Sequence, residues 1–190
     1  DGVTPVEETM QALIDIVKQG KALYVGISKY PPAQAKIAYE MLRAAGVPCL
    51  ISQYRYSMFD RTVEEKSLPL AAEQGSGFIA FSPLAQGLLT KKYLHGIPEH
   101  SRAARSTGFL KVDQVTEDKV GKARRLDEIA ARRGQTLAEM ALAWVLKDER
   151  MTSVIVGTSS VKQLADNLHA LDNLNFTNEE LAEIEGILRL

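Results

Sequence analysis

The chain has a single cysteine, Cys49, among its 190 residues. That excludes an internal disulfide and any multi-cysteine metal site. Cys49 stands between Pro48 and Leu50 at the head of an apolar run, the setting of a buried, inert thiol rather than a nucleophile. No other metal-ligand cluster is spaced along the sequence, so no metal is expected. An excess of either charge is also missing: 23 basic and 24 acidic side chains leave a net charge of −1. No nucleic-acid partner is expected, since that needs a basic surplus on one face. No segment approaches the roughly 18 consecutive apolar residues of a membrane span, so no membrane partner is expected either. The first residues, Asp1-Gly2-Val3-Thr4-Pro5, carry no signal-peptide pattern, and the expected location is cytoplasmic. A Gly-x-Gly-x-x-Gly fingerprint is absent, which removes the usual support for a Rossmann domain.

What the sequence does contain is a repeated strand-then-helix pattern. Thr4-Pro5-Val6-Glu7 reads as an N-cap, a first-turn proline and a capping box, with Met10, Leu13, Ile14 and Val17 on the apolar face and Gly20 as the stop. Strand 22–27 follows, then a helix opened by Pro31-Pro32 and stopped at Gly46. A second strand covers 49–53 and leads into a short helix around 68–74, with Pro69 near its start. The third strand is 77–81. The stretch 91–113 reads as an irregular, basic loop, either functional or simply solvated. Helix 116–133 and the Thr136–Glu139 capping box come next, with Trp144 on the core face of the second helix. A further capping box, Thr177–Glu180, opens the terminal helix. The whole chain is expected to form a single domain, residues 1–190.

Ser153 to Leu171 organises the rest. A β-branched run predicts a buried parallel strand. Gly157-Thr158-Ser159-Ser160 turns it into a helix with Val161, Leu164, Leu168 and Leu171 on one face. Backbone N–H groups and the helix dipole at such a turn suit an anion; a plain serine-capped turn is the simpler reading. Four strand–helix units predict parallel strands with right-handed crossovers. An open doubly wound sheet and part of a (β/α)8 barrel both fit.

In both architectures, function sits at the C-terminal ends of strands. Those loops carry hydroxyls, amides, a cation and aromatics but no acid–base centre. The three histidines lie elsewhere: His95 and His100 in the long loop, His169 late in a helix. No catalytic residue is assigned, and the strand ends read as a binding surface.

Tyr24-Val25-Gly26-Ile27-Ser28, the run from Phe81 to Thr90, Gly96-Ile97-Pro98 with Ser101-Arg102, and Gly157-Thr158-Ser159 with Gln163, Leu164 and Asn167 resemble the aldo-keto reductase family. The likeness is strongest to its bacterial L-glyceraldehyde 3-phosphate-reducing group and its potassium-channel beta-subunit relatives. The resemblance implies an α/β fold, a (β/α)8 TIM barrel to which this chain supplies the second half, strands five to eight, plus the C-terminal helix. It implies an NADPH/NADP-dependent oxidoreductase that reduces a small-molecule aldehyde, triose phosphates included, and assembles as a homo-oligomer. The alternative is a nucleotide-binding half-barrel or channel-type regulatory subunit without turnover. By position, Ser28 and Gln53 hold the nicotinamide carboxamide, with Lys29 nearby and Phe81 stacked under the ring. Ser82, Pro83, Leu84, Ala85 and Gly87 shape the pyrophosphate turn. Lys92 and Arg102, in the cofactor-side loop 91–113, contact phosphates. Gly157, Ser159 and Gln163 serve the adenosine 2′-phosphate region, and Asp166 and Asn167 the adenine. Gln163 stands where many members have arginine. The catalytic tetrad lies on the other half of the barrel, so this chain alone is expected to be inactive.

Overall fold

A computed structural model describes residues 3–99, 101, 103–104 and 109–189. Four parallel strands form one sheet in sequential order: β1 (Val25–Ser28), β2 (Cys49–Arg55), β3 (Gly77–Phe81) and β4 (Met151–Ile155). The helices are α1 (Val6–Lys18), α2 (Pro32–Ala44), α3 (Ser67–Glu73), α4 (Glu117–Arg132), α5 (Leu137–Leu146), α6 (Val161–Leu168) and α7 (Asn178–Arg189). The chain divides into two compact units. One holds the residues up to Arg55, Thr62–Phe81 and Glu149–Ser153; the other holds Tyr56–Arg61, Ser82–Asp148 and the chain from Val154 on.

In the first unit, α1, α2 and α3 accompany the sheet. Register pairs Ile27 with Ser52, Ser52 with Phe78 and Tyr54 with Ala80, and all five of these side chains are buried. Tyr54 and Phe78 stack at 5.1 Å. The polar member, Ser52, is satisfied: its Oγ lies 2.6 Å from Tyr39 Oη and 3.0 Å from Ser76 Oγ, as a buried hydroxyl requires. Cys49 is buried in the same place, and burial pushes its thiol pKa up, which fits an inert side chain.

Three boundaries differ from expectation. Helix α1 begins at Val6, not at a Thr4 cap: Pro5 is the N-cap, with φ −55° and ψ 141°, and makes no side-chain cap bond. Strand β1 begins at Val25, and Leu23 and Tyr24 are exposed. The ladder shifts register between Val25 and Gly26. A Cβ on Gly26 would stand 2.6 Å from Ile51 O, so this close approach of two strands needs glycine. Strand β2 runs two residues past Gln53, because buried Tyr54 continues the alternation.

In the second unit, α5 is nearly engulfed, with Trp144 in the core as its helical face predicts. The Thr136–Glu139 capping box forms with both bonds, Glu139 N–H to Thr136 Oγ1 (3.2 Å) and Thr136 N–H to Glu139 Oε2 (2.7 Å). The Thr177–Glu180 box forms in the same way. Buried Arg133 at the end of α4 pairs with Glu180 and lies 3.7 Å from the Phe176 ring centroid. The β4–α6 stretch departs from its expected burial. Strand β4 begins in the first unit, and only its Met151 is buried. Val161, Leu164, Leu168 and Leu171 are all exposed, and the buried residue of α6 is Asn167. Among the described residues no helix is long and apolar enough to cross a membrane.

Candidate functional site

Paired residues in a parallel ladder point to the same side of the sheet, and successive residues alternate. With Tyr54 and Phe78 on the helix-covered side, Ser28, Gln53, Arg55 and Phe81 fall on the other. Ser28 pairs with Gln53, and Arg55 with Phe81. None of these four is buried. A hydroxyl, an amide, a guanidinium and a phenyl ring therefore share one face at the C-terminal ends of β1, β2 and β3.

The loop after β1 is fixed in place. Lys29 adopts φ +60°, and its N–H donates to Gln53 O at 3.1 Å, extending the ladder. Tyr54 Oη donates to Tyr30 O at 2.7 Å, and burial pushes the Tyr54 pKa up to about 12, so it stays a donor at any physiological pH. Arg55 lies with its guanidinium carbon 5.8 Å from the Phe81 ring centroid. Strand β2 extends past Gln53 to Arg55, and the alternation Gln53-x-Arg55 is the sequence signal for it. Chemically, this face offers a phenyl ring to stack on and an amide that both donates and accepts.

The second unit supplies a tight turn directly after Phe81. Ser82, Ala85 and Gln86 take φ of 55°, 47° and 59°. Left-handed backbone costs a non-glycine residue roughly 1–2 kcal/mol, and such strain persists where surroundings impose it. Here Ala85 N–H donates to Ser82 O at 2.9 Å and Gly87 N–H to Leu84 O at 2.8 Å. Pro83 is buried, and Gly87 has φ +103° close to the Tyr93 ring. A small core of Leu88, Tyr93, Ala103 and Leu110 backs the turn. The long connection is thus packed in its described part, and Arg124 tethers it through two bonds to Leu94 O, at 3.1 and 2.8 Å. Lys92 is exposed, with its N–H donating to Thr90 Oγ1 at 3.2 Å. Arg102 lies outside the described residues, as does His100.

The turn after β4 is exposed and capped from within. Ser160 Oγ accepts from Gln163 N–H at 3.2 Å, while Gln163 Oε1 accepts from Ser159 N–H at 2.9 Å and from Ser159 Oγ at 3.1 Å. These bonds satisfy the plain-cap reading of the turn and tie Ser159 to Gln163; Gly157 is exposed beside them. Asp166 accepts from Lys162 Nζ with both oxygens, at 3.0 and 2.9 Å. Asn167 is buried and its Nδ2 has no hydrogen-bond partner. An orphaned buried donor costs about 1–3 kcal/mol. Among the described residues no group of three or more acidic, histidine or cysteine side chains could hold a metal ion.

The aldo/keto reductase family model matches residues 1–189 of this sequence. The chain belongs to the aldo/keto reductase family. It is similar to L-glyceraldehyde 3-phosphate reductase from Escherichia coli O157:H7, 48% identical over 189 residues that cover 97% of this chain and 55% of the relative. The protein of the same name from Escherichia coli strain K12 is 47% identical over the same extent. The chain therefore spans about half the length of the curated relatives it matches. The family fold is a (β/α)8 barrel, and the four parallel strands here are half of that number. In such a barrel, function lies at the C-terminal ends of strands, where Ser28, Gln53, Arg55 and Phe81 stand in the first unit and the strained 82–87 turn begins in the second.

Proposed function

We propose that this chain is the cofactor-binding half of a cytoplasmic, NADP-dependent aldo-keto reductase that reduces small aldehydes, triose phosphates such as L-glyceraldehyde 3-phosphate among them. The observation that carries the reading is the single sheet face shared by Ser28, Gln53 and Phe81. On that face Ser28 and Gln53 bond the nicotinamide carboxamide, and Phe81 supports the flat ring. The 82–87 turn offers backbone N–H groups to the pyrophosphate, with Lys92 and Arg102 adding positive charge. Ser159 and Gln163 meet the 2′-phosphate region, and Asp166 and Asn167 the adenine. When bound, the cofactor supplies the hydride. The chain's own residues orient the ring and exclude water from one of its sides. No residue described on this face is assigned as the proton donor.

The test is the dissociation constant of NADPH. Removing the Gln53 amide deletes one contact, so Gln53→Ala is expected to weaken binding by about 1–2 kcal/mol. Fluorescence titration reads this directly, and an unchanged constant would overturn the assignment of the carboxamide site.

A further inference from the structure

We propose that Tyr54 is a positioning residue for the cofactor: its hydroxyl holds the strained loop after β1, so that Ser28 meets the nicotinamide end in one arrangement. The inference rests on the reading above that Ser28 and Gln53 bond the carboxamide. Lys29, Tyr30 and Pro31 are the whole connection between β1 and α2. Lys29 adopts φ +60°, a left-handed conformation that a lysine takes only at a cost. Tyr30 stands before a proline and is pushed toward extended backbone. Ser28 is the last residue of β1 and pairs with Gln53. In so short a link, slack at Lys29 is slack at Ser28.

Strained backbone persists only where its surroundings hold it. Two bonds do so here. Lys29 N–H donates to Gln53 O at 3.1 Å, a main-chain contact that most residues could make. Tyr54 Oη donates to Tyr30 O at 2.7 Å, and that bond needs this side chain. The Tyr54 ring is buried and stacked on Phe78, with centroids 5.1 Å apart and planes 7° from parallel. Stacking alone would be served by phenylalanine; the hydroxyl is what reaches the loop. Strand β2 thus serves the site from both sides. The Gln53 side chain stands on the site face, while its neighbour Tyr54, on the helix-covered face, anchors the loop that carries on from Ser28. The loop is ordered when the chain folds, so that cost does not fall on binding. Only a ligand that reaches Ser28 gains from it.

The experiment compares two ligands on the wild-type chain and on Tyr54→Phe, which keeps the stacked ring and removes the hydroxyl. NADPH reaches the nicotinamide site; 2′,5′-ADP carries the adenosine and its phosphates but no nicotinamide. An ordinary hydrogen bond shifts an equilibrium by about three- to tenfold, so the NADPH dissociation constant should rise by that factor in Tyr54→Phe. The constant for 2′,5′-ADP should stay the same. A merely structural role would weaken both ligands equally, and that result overturns the proposal. An unchanged NADPH constant also overturns it and leaves the cofactor site standing. Amide exchange on the ligand-free wild-type chain is a second test that does not depend on the variant folding. The Lys29 amide should exchange as slowly as those of β2; exchange at the rate of a free loop overturns the proposal. If NADPH binds the wild-type chain no more tightly than 2′,5′-ADP, the nicotinamide site itself fails and this inference falls with it.

Discussion

Helices α5 and α6 belong to the same compact unit, and both read as apolar on one face. They end in opposite environments. Seven of the ten residues of α5 are buried, whereas α6 buries only Asn167 and leaves Val161, Leu164 and Leu168 exposed at 88%, 43% and 55%. Periodicity states which face wants cover; it does not state whether this stretch of chain provides it. The difference is a difference of neighbours. Around α5 lie α4 and the ring contacts of Trp144, with Tyr56 at 5.7 Å, Arg61 at 5.3 Å and Lys147 at 3.9 Å. Among the described residues, the apolar stripe of α6 stays exposed.

The sharpest way to break this contrast is Trp144→Ala. A fully buried indole with partners on several sides should cost about 3–5 kcal/mol when truncated. Urea denaturation of this chain reads it as a fall in midpoint. A loss under about 1 kcal/mol would mean that α5 is not the centre of its unit.

The helix caps sharpen the comparison at smaller scale, because both are built from the same chemistry. Thr136→Ala removes the hydroxyl that accepts from Glu139 N–H, leaves the backbone N–H that donates to Glu139 Oε2, and should lower global stability by about 1 kcal/mol. Ser160→Ala removes the bond from Gln163 N–H, but the helix it starts buries little. The expected outcome there is faster amide exchange within α6 and only a few tenths of a kcal/mol off global stability. Equal global losses from the two substitutions would show that α6 is as tightly coupled to the unit as α5.

How legible these features were depended on how local their causes are. The two later capping boxes and the left-handed glycines that end helices are set by neighbouring residues, and Thr136, Thr177, Gly20, Gly46 and Gly134 all act as their positions predict. The β3 span is also as read, since its β-forming run is bounded by Gly75 and Ser82. What escaped depends on distant partners. Strand β2 extends to Arg55 because Tyr54 stacks on Phe78, 24 residues away in sequence, and this is what carries Arg55 to the site face. The left-handed backbone at Ser82, Ala85 and Gln86 has no glycine to signal it; the surrounding packing imposes it. Most of the candidate cofactor residues came from family resemblance, not from any pattern that spacing alone could supply. The sheet register then puts Ser28, Gln53 and Phe81 on one face.

The smallest expected effect tests the exposed side of the comparison. Leu168 lies on the stripe at the end of α6 and is 55% exposed. Replacing it with glutamine keeps a good helix former and removes apolar surface that water already reaches, so stability of this chain should move by no more than about 0.5 kcal/mol. The same substitution should make the chain less prone to associate, because an exposed apolar stripe is what drives non-specific contact. Light scattering over a concentration series reads that second effect apart from the first. A loss above about 1.5 kcal/mol in dilute solution would mean that Leu168 is covered when the chain is folded, and the contrast between α5 and α6 would then be one of degree rather than of kind.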